Sequence, residues 1–339
     1  MKQFRISFDN ISKYRTELYG ISILWIMLFH FEGTYPAWAK SFLKYGNMGC
    51  ELFIFASGVS LYFAMQKKPT LSRYFQRRLL RVLLPVILIC SFEWIPLFLK
   101  GNGSSPFFKL LARYFCINFW ITGEQQTWFL SFMILAYLLY PYIYSFLFES
   151  RSNVWLHTGI LITVWLAVTF SIYYLAPKYF DLTEIALTRG PVFLIGCAFG
   201  RIVYEKKSIS RHAVIIIAGM ILVIILSFVA INYKMVNGVA RRYFYLMPGI
   251  SLTILIPQIF DITSKFIRHH ILRYLGNTSI ELYLLHIMMG YHLLPKTGFY
   301  DRKNMLHYYV MLCVCIILSF PCSKLIHFLA GKINTLMDG

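Results

Sequence analysis

The sequence predicts an all-α protein: a single polytopic integral membrane domain spanning 1–339, built as a bundle of about ten transmembrane helices with both termini cytoplasmic. Three observations predict it. The chain is 58% hydrophobic and only 14% charged, whereas a soluble domain of this length carries about 25% charged residues. It cannot cover itself with polar surface, so lipid must cover it. Apolar segments of spanning length, about 17 to 25 residues each, recur ten times. Lys and Arg concentrate in alternate loops, as cytoplasmic loops require.

The ten segments run approximately over 15–33, 48–66, 79–99, 126–148, 154–175, 185–204, 213–232, 243–262, 276–294 and 306–330. In lipid every backbone group must be bonded internally, so these are helices; the period-two alternation of a membrane barrel is absent. Segments 33–47 and 104–121 are too polar to span, and the second suits an interfacial or re-entrant helix. With the N-terminus inside, 20 of the 33 Lys and Arg fall on the cytoplasmic side and 13 outside. The net charge of +19 is explained by loops facing an anionic leaflet rather than by nucleic acid, because no soluble basic domain is present. Aromatics reach 18%, which suits interfacial belts.

Cys50, Cys90, Cys116, Cys197, Cys313, Cys315 and Cys322 form no CxxC pair and mostly lie in apolar runs. They read as small hydrophobes rather than a disulfide framework or a zinc site. The basic N-terminus before an apolar segment superficially resembles a signal peptide, but no A-x-A-like site follows, and it reads as a retained first span. No internal repeat or domain linker is visible.

A charge at bilayer depth costs a few kcal/mol on insertion scales and so marks function. Those present are His30, Glu51, Arg81, Glu93, Arg189, Glu281 and His286. His30 ends the first segment, and imidazole can take and return a proton at neutral pH; the bland reading is a histidine bonded between helices. Arg15 and Glu17 open the same segment, where an arginine can simply snorkel. In LSRYFQRRLLRVLLP, Arg73, Arg77 and Arg81 repeat at i+4 with Arg78 beside them, a cationic stripe on the cytoplasmic side. Arginine forks match phosphate oxygens, as in a nucleotide-bearing donor such as coenzyme A; an ordinary positive-inside loop is the alternative. Ser57-Gly58, within GNMGCELFIFASGVSLYF, lets helices approach closely. Glu281 and His286 are five apart, so they do not share a helical face and are expected to have different partners.

In this order, these stretches resemble the bacterial acyltransferase-3 family of polytopic membrane acyltransferases over most of the chain. YRTELYGISILWIMLFHF is similar to the family's first helix, ending on its histidine, and GNMGCELFIFASGVSLYF to its second, with an acidic residue. SRYFQRRLLRVLLP resembles the Arg-rich start of the third, with R-x-x-R at Arg78 and Arg81. TWFLSFMILAYLLYP, beginning at Thr127-Trp128, resembles the Trp-Phe-Leu helix. RGPVFLIGCAFGRI, beginning at Arg189, and LGNTSIELYLLH, ending on His286, resemble two later helices. The family pairs its helix-one histidine with an arginine 11 residues earlier; that position here is Tyr19, and the nearest arginine is Arg15.

The resemblance implies a ten-helix enzyme of the inner membrane. It takes an acyl group, usually acetyl, from cytoplasmic acyl-CoA, a co-substrate rather than a bound cofactor, and passes it to a hydroxyl of a glycan. His30, Glu51 and Arg15 are then the catalytic candidates, with Glu51 orienting His30. Arg73, Arg77, Arg78 and Arg81 hold the donor, and His286, Glu281, Trp128 and Arg189 are further site candidates. A purely structural or signalling membrane protein is disfavoured by the histidines and arginines within the spans, and two other readings compete. One is an enzyme of the membrane-bound O-acyltransferase type, for which long re-entrant segments are missing. The other is a glycan or lipid-linked sugar transporter, which inverted repeats and paired Gly/Pro-broken helices would favour.

Overall fold

The computed structural model describes residues 5–101, 106–149, 153–236 and 238–338. It is helical almost throughout. The long elements are α1 (Arg15–Phe29), α2 (Met48–Met65), α3 (Leu71–Leu99), α4 (Trp128–Phe148), α5 (Val154–Leu175), α6 (Gly190–Tyr204), α7 (Ala213–Asn232), α8 (Leu246–Thr263), α9 (Ser279–Ile287) and α10 (Met305–Asp338). Among the described residues, eight helices are long and apolar enough to cross a membrane. The chain is therefore an all-α, multi-pass membrane bundle.

Two of the ten expected spans do not form continuous α-helices of spanning length. Segment 15–33 ends its helix at Phe29, after 15 residues. Segment 276–294 passes from α9, nine residues long, into a π-helical turn over Met288–Leu293 and then a 3₁₀ turn over Leu294–Thr297. These are the two segments that carry His30 and His286. Irregular backbone at membrane depth is tolerated only where protein or a cavity surrounds it, so apolar composition alone overstated their regularity. The expected interfacial segment 104–121 contains short helices at Pro106–Tyr114 and Asn118–Thr122; residues 104 and 105 lie outside the described residues. Phe107 and Phe108 are exposed.

The chain forms two compact units. The first comprises 1–22, 47–69 and 139–276. Its centre is the pairing of α2 with α6, which small residues bring into near-backbone contact: a Cβ on Gly58 would lie 2.7 Å from the Phe193 carbonyl oxygen, and one on Gly196 would run into the Phe55 backbone. This is the close approach expected of Ser57-Gly58. The N-terminal segment is fastened to α8 by Gln258. Its amide oxygen accepts from Ser7 N–H (3.1 Å) and Asn10 Nδ2 (2.9 Å), and its amide nitrogen donates to the Ser7 carbonyl (2.9 Å). Ile6–Ser7 also pairs antiparallel with Ser208–Ile209, the one strand pair among the described residues. Along α7, Val214, Ile215, Leu222, Ile225 and Leu226 are exposed, as a face that meets lipid rather than water should be.

The second unit comprises 23–46, 70–138 and 277–339. Here α3 and α9 pack together and α10 packs on both. Thr70 caps α3 by accepting from Arg73 N–H (3.3 Å). Arg73, Arg77 and Arg81 are exposed on α3, and the half-buried Arg78 lies over the Tyr137 ring at 5.9 Å. The buried Tyr74 hydroxyl donates to the Tyr137 carbonyl (3.2 Å).

Candidate active site

The site in the second unit begins with the way α1 ends. A helix leaves its last carbonyls without intrahelical partners, and in lipid these need replacements. Three tyrosines supply them. Tyr308 donates to the Met27 carbonyl, Tyr35 to that of Leu28 (2.7 Å), and Tyr291 to that of His30 (2.9 Å). The first comes from α10, the third from the π turn. His30, half-buried just past the last helical residue, is thereby held from three segments. It also lies at the negative end of the α1 dipole, which favours a positive charge arising there.

His30 faces His286. Their rings are 5.1 Å apart at 44°, with His286 Nε2 3.2 Å from His30 Nδ1. His286 is 1% exposed, and its Nδ1 lies 2.8 Å from the Leu282 carbonyl oxygen. A carbonyl only accepts, so His286 carries its proton on Nδ1 and its Nε2 is the acceptor in the neutral ring. His30 must then donate from Nδ1, which leaves a lone pair on Nε2. One backbone carbonyl thus fixes the tautomers of two imidazoles in series, in the way outer partners fix metal-ligating histidines.

The π turn after α9 aims consecutive side chains at different partners. Tyr291 bonds the His30 carbonyl and stands edge-on to its ring at 5.8 Å. His292 places Nδ1 2.9 Å from Glu93 Oε1. The Gln126 amide donates to the other oxygen of Glu93 (2.9 Å) and accepts from Trp94 Nε1 (3.1 Å). The Tyr283 hydroxyl reaches the Gln126 carbonyl (3.0 Å). Glu93 is buried and fully bonded, while the His292 side chain keeps 32% exposure. π turns inside helices occur frequently at functional sites.

The other sequence candidates are distributed as follows. Glu281 is buried beside Ser323, which hydrogen-bonds it, with Arg81 and His327 in electrostatic range. Its partners are therefore different from those of His286. In the first unit, Glu51 forms a buried ion pair with Arg189 (Oε1 to Nε 3.4 Å), and Arg242 pairs with Glu184 (2.6 Å). Glu51, read from the sequence as a helper of His30, has Arg189 as its ion-pair partner, and His286 is the side chain that contacts the His30 ring. Arg15 donates to the Ser60 hydroxyl (3.2 Å), and Tyr19, in the family's arginine position, stacks on Phe53 at 4.9 Å. Trp128 is buried at the start of α4. Sequence reasoning missed Tyr291 and His292 as site residues. The signal was available, since both polar side chains interrupt an apolar run between Gly290 and Pro295.

No curated protein and no solved structure is significantly similar to the chain. The family described as acyltransferase domain matches residues 19–324, a stretch that begins within α1 and ends within α10. It includes His30, the arginines of α3, and His286. The chain therefore belongs to the acyltransferase-3 family and is a membrane acyltransferase.

Proposed function

We propose that the protein moves an acyl group, most simply acetyl, from acyl-CoA to a hydroxyl of a cell-surface or exported glycan, working in the cytoplasmic membrane with both termini inside. The observation that carries the chemistry is the proton chain from the Leu282 carbonyl through His286 to His30, which leaves His30 Nε2 as a lone pair on a half-buried ring. In the transfer, the acceptor oxygen attacks the thioester carbonyl and its proton passes to His30 Nε2. The C–S bond then breaks and the thiolate takes that proton from the imidazolium. The α1 C-terminus steadies the transient cation.

The donor's phosphates fit the arginines on the cytoplasmic stretch of α3, where guanidinium forks meet phosphate oxygens. Arg81 and Glu93 lie twelve residues apart on α3, about 18 Å along the axis at 1.5 Å per residue. Coenzyme A carries its thioester on a long flexible arm, which suits phosphates held at one depth and chemistry at another. Glu281, in the first turn of α9 and in electrostatic range of Arg81, links the donor stripe electrostatically to the helix that presents His286.

The test is the purified enzyme in phospholipid vesicles supplied with acetyl-CoA, with thiol release as readout. His30→Ala should lower acyl transfer by at least about 100-fold, the ordinary contribution of a general base, while the protein stays in the membrane. Transfer at the wild-type rate in that variant removes His30 from the mechanism.

A further inference from the structure

His292 and Glu93 have no part in the proton chain, yet they are built as carefully as its members. The Glu93 carboxylate is 5% exposed and receives two hydrogen bonds, from His292 Nδ1 and from Gln126. A carboxylate accepts only, so His292 Nδ1 carries its proton and, in the neutral ring, Nε2 presents a lone pair. The ring retains one-third exposure on an otherwise buried node. Its neighbour Tyr291 is bonded to the His30 carbonyl, so one π turn carries the His292 ring and also holds the backbone of His30. His30 and His292 thus share one polarity: each has its Nδ1 proton committed to a protein acceptor and its Nε2 available to receive an O–H. A general base needs one such nitrogen. Two of them, one on the π turn and one on the residue whose carbonyl the turn's Tyr291 bonds, suit two hydroxyls of one molecule.

We propose that the Glu93–His292 pair is a second hydroxyl-binding position of the acceptor site, taking an O–H of a polyhydroxylated acceptor beside the hydroxyl acylated at His30. His292 accepts this hydrogen bond without forming or breaking a covalent bond. Glu93 acts through it as a positioning residue, by keeping the proton off Nε2. The inference rests on the acyl-transfer reading above and gives that reading an acceptor selectivity.

The experiment uses the full-length enzyme in phospholipid vesicles with acetyl-CoA, and compares thiol release with glycerol or a methyl glycoside, with ethanol, and with water as acceptors. The wild type should prefer the polyols over ethanol in kcat/KM. His292→Leu should reduce that preference about tenfold, the scale of one lost hydrogen bond, chiefly through the polyol KM. Glu93→Gln should move it the same way, because a glutamine amide can donate to Nδ1 and drive the proton onto Nε2. Where thermal unfolding in detergent shows His292→Leu to be misfolded, Glu93→Gln carries the test. A polyol preference unchanged in the folded variants overturns the proposal, as does a wild type that polyols do not stimulate beyond ethanol. Failure of the transfer reading shows differently: His30→Ala would then release thiol at the wild-type rate with every acceptor, whatever the polyol preference.

Discussion

His286 touches no reacting atom in the proposed transfer, yet its replacement should slow the reaction by a calculable amount. The neutral His30 ring has two tautomers, and only the one protonated on Nδ1 leaves Nε2 free to take a proton. That tautomer is favoured by the 3.2 Å contact to His286 Nε2, with the Ile26 carbonyl as a second acceptor for the ring. A hydrogen bond between neutral groups contributes about 1 to 1.5 kcal/mol net. At about 1.4 kcal/mol per tenfold change, its loss shifts the tautomer ratio about 5- to 12-fold. His286→Leu keeps side-chain volume near this 1%-exposed position but offers no acceptor, so kcat should fall by up to that factor with little change in the KM for acetyl-CoA. His286→Gln places an amide oxygen near the vacated Nε2 and should recover most of the rate. Thiol release in vesicles reads both variants, and thermal unfolding in detergent confirms that each is folded. Equal losses in the two variants would refute the tautomer argument, because they would show that only the imidazole's bulk or charge matters. A leucine variant at the wild-type rate would refute it outright.

The remaining predictions concern donor binding and the first unit. Replacing Arg78 and Arg81 together with alanine should raise the KM for acetyl-CoA at least about tenfold, since charge-assisted bonds to phosphate contribute about 1.5 to 3 kcal/mol each; an unchanged KM would leave the stripe as a topology signal only. Glu51→Gln should lower the thermal midpoint sharply, because breaking a buried ion pair from one side costs about 3 to 5 kcal/mol. The double change of Glu51→Leu with Arg189→Met should recover much of it, and a single variant as stable as wild type would show that the 3.4 Å pair contributes nothing.

Much of this architecture was legible in the sequence. Segments 154–175 and 213–232 coincide with α5 and α7, because a long apolar run in lipid has only the helix open to it. The polar residues worth attention were also visible, since a titratable group in such a run is conspicuous. What was not legible is pairing. His30 and His286 lie 256 positions apart, and nothing in either local spacing announces the other. Glu51 looked like a partner for His30 because both are polar intrusions near the same expected face, whereas its ion pair is with Arg189, immediately before a helix that small residues allow to lie against α2. The π turn was invisible for a related reason. Residues 288–293 (MMGYHL) are compatible with an ordinary helix, and only the bonds to His30 and Glu93 give the wider turn its purpose.

The two segments that bear the paired histidines are also the two that fall short of a continuous spanning helix. During synthesis such stretches are the poorest candidates for partitioning into the bilayer unaided, since their insertion energy includes an imidazole and an interrupted hydrogen-bond ladder. The second of them, α9, packs against the longer α3 and α10, and Tyr308 of α10 bonds the end of the first. A chain truncated before α10 therefore loses a neighbour of both segments and should be left without a seat for His286.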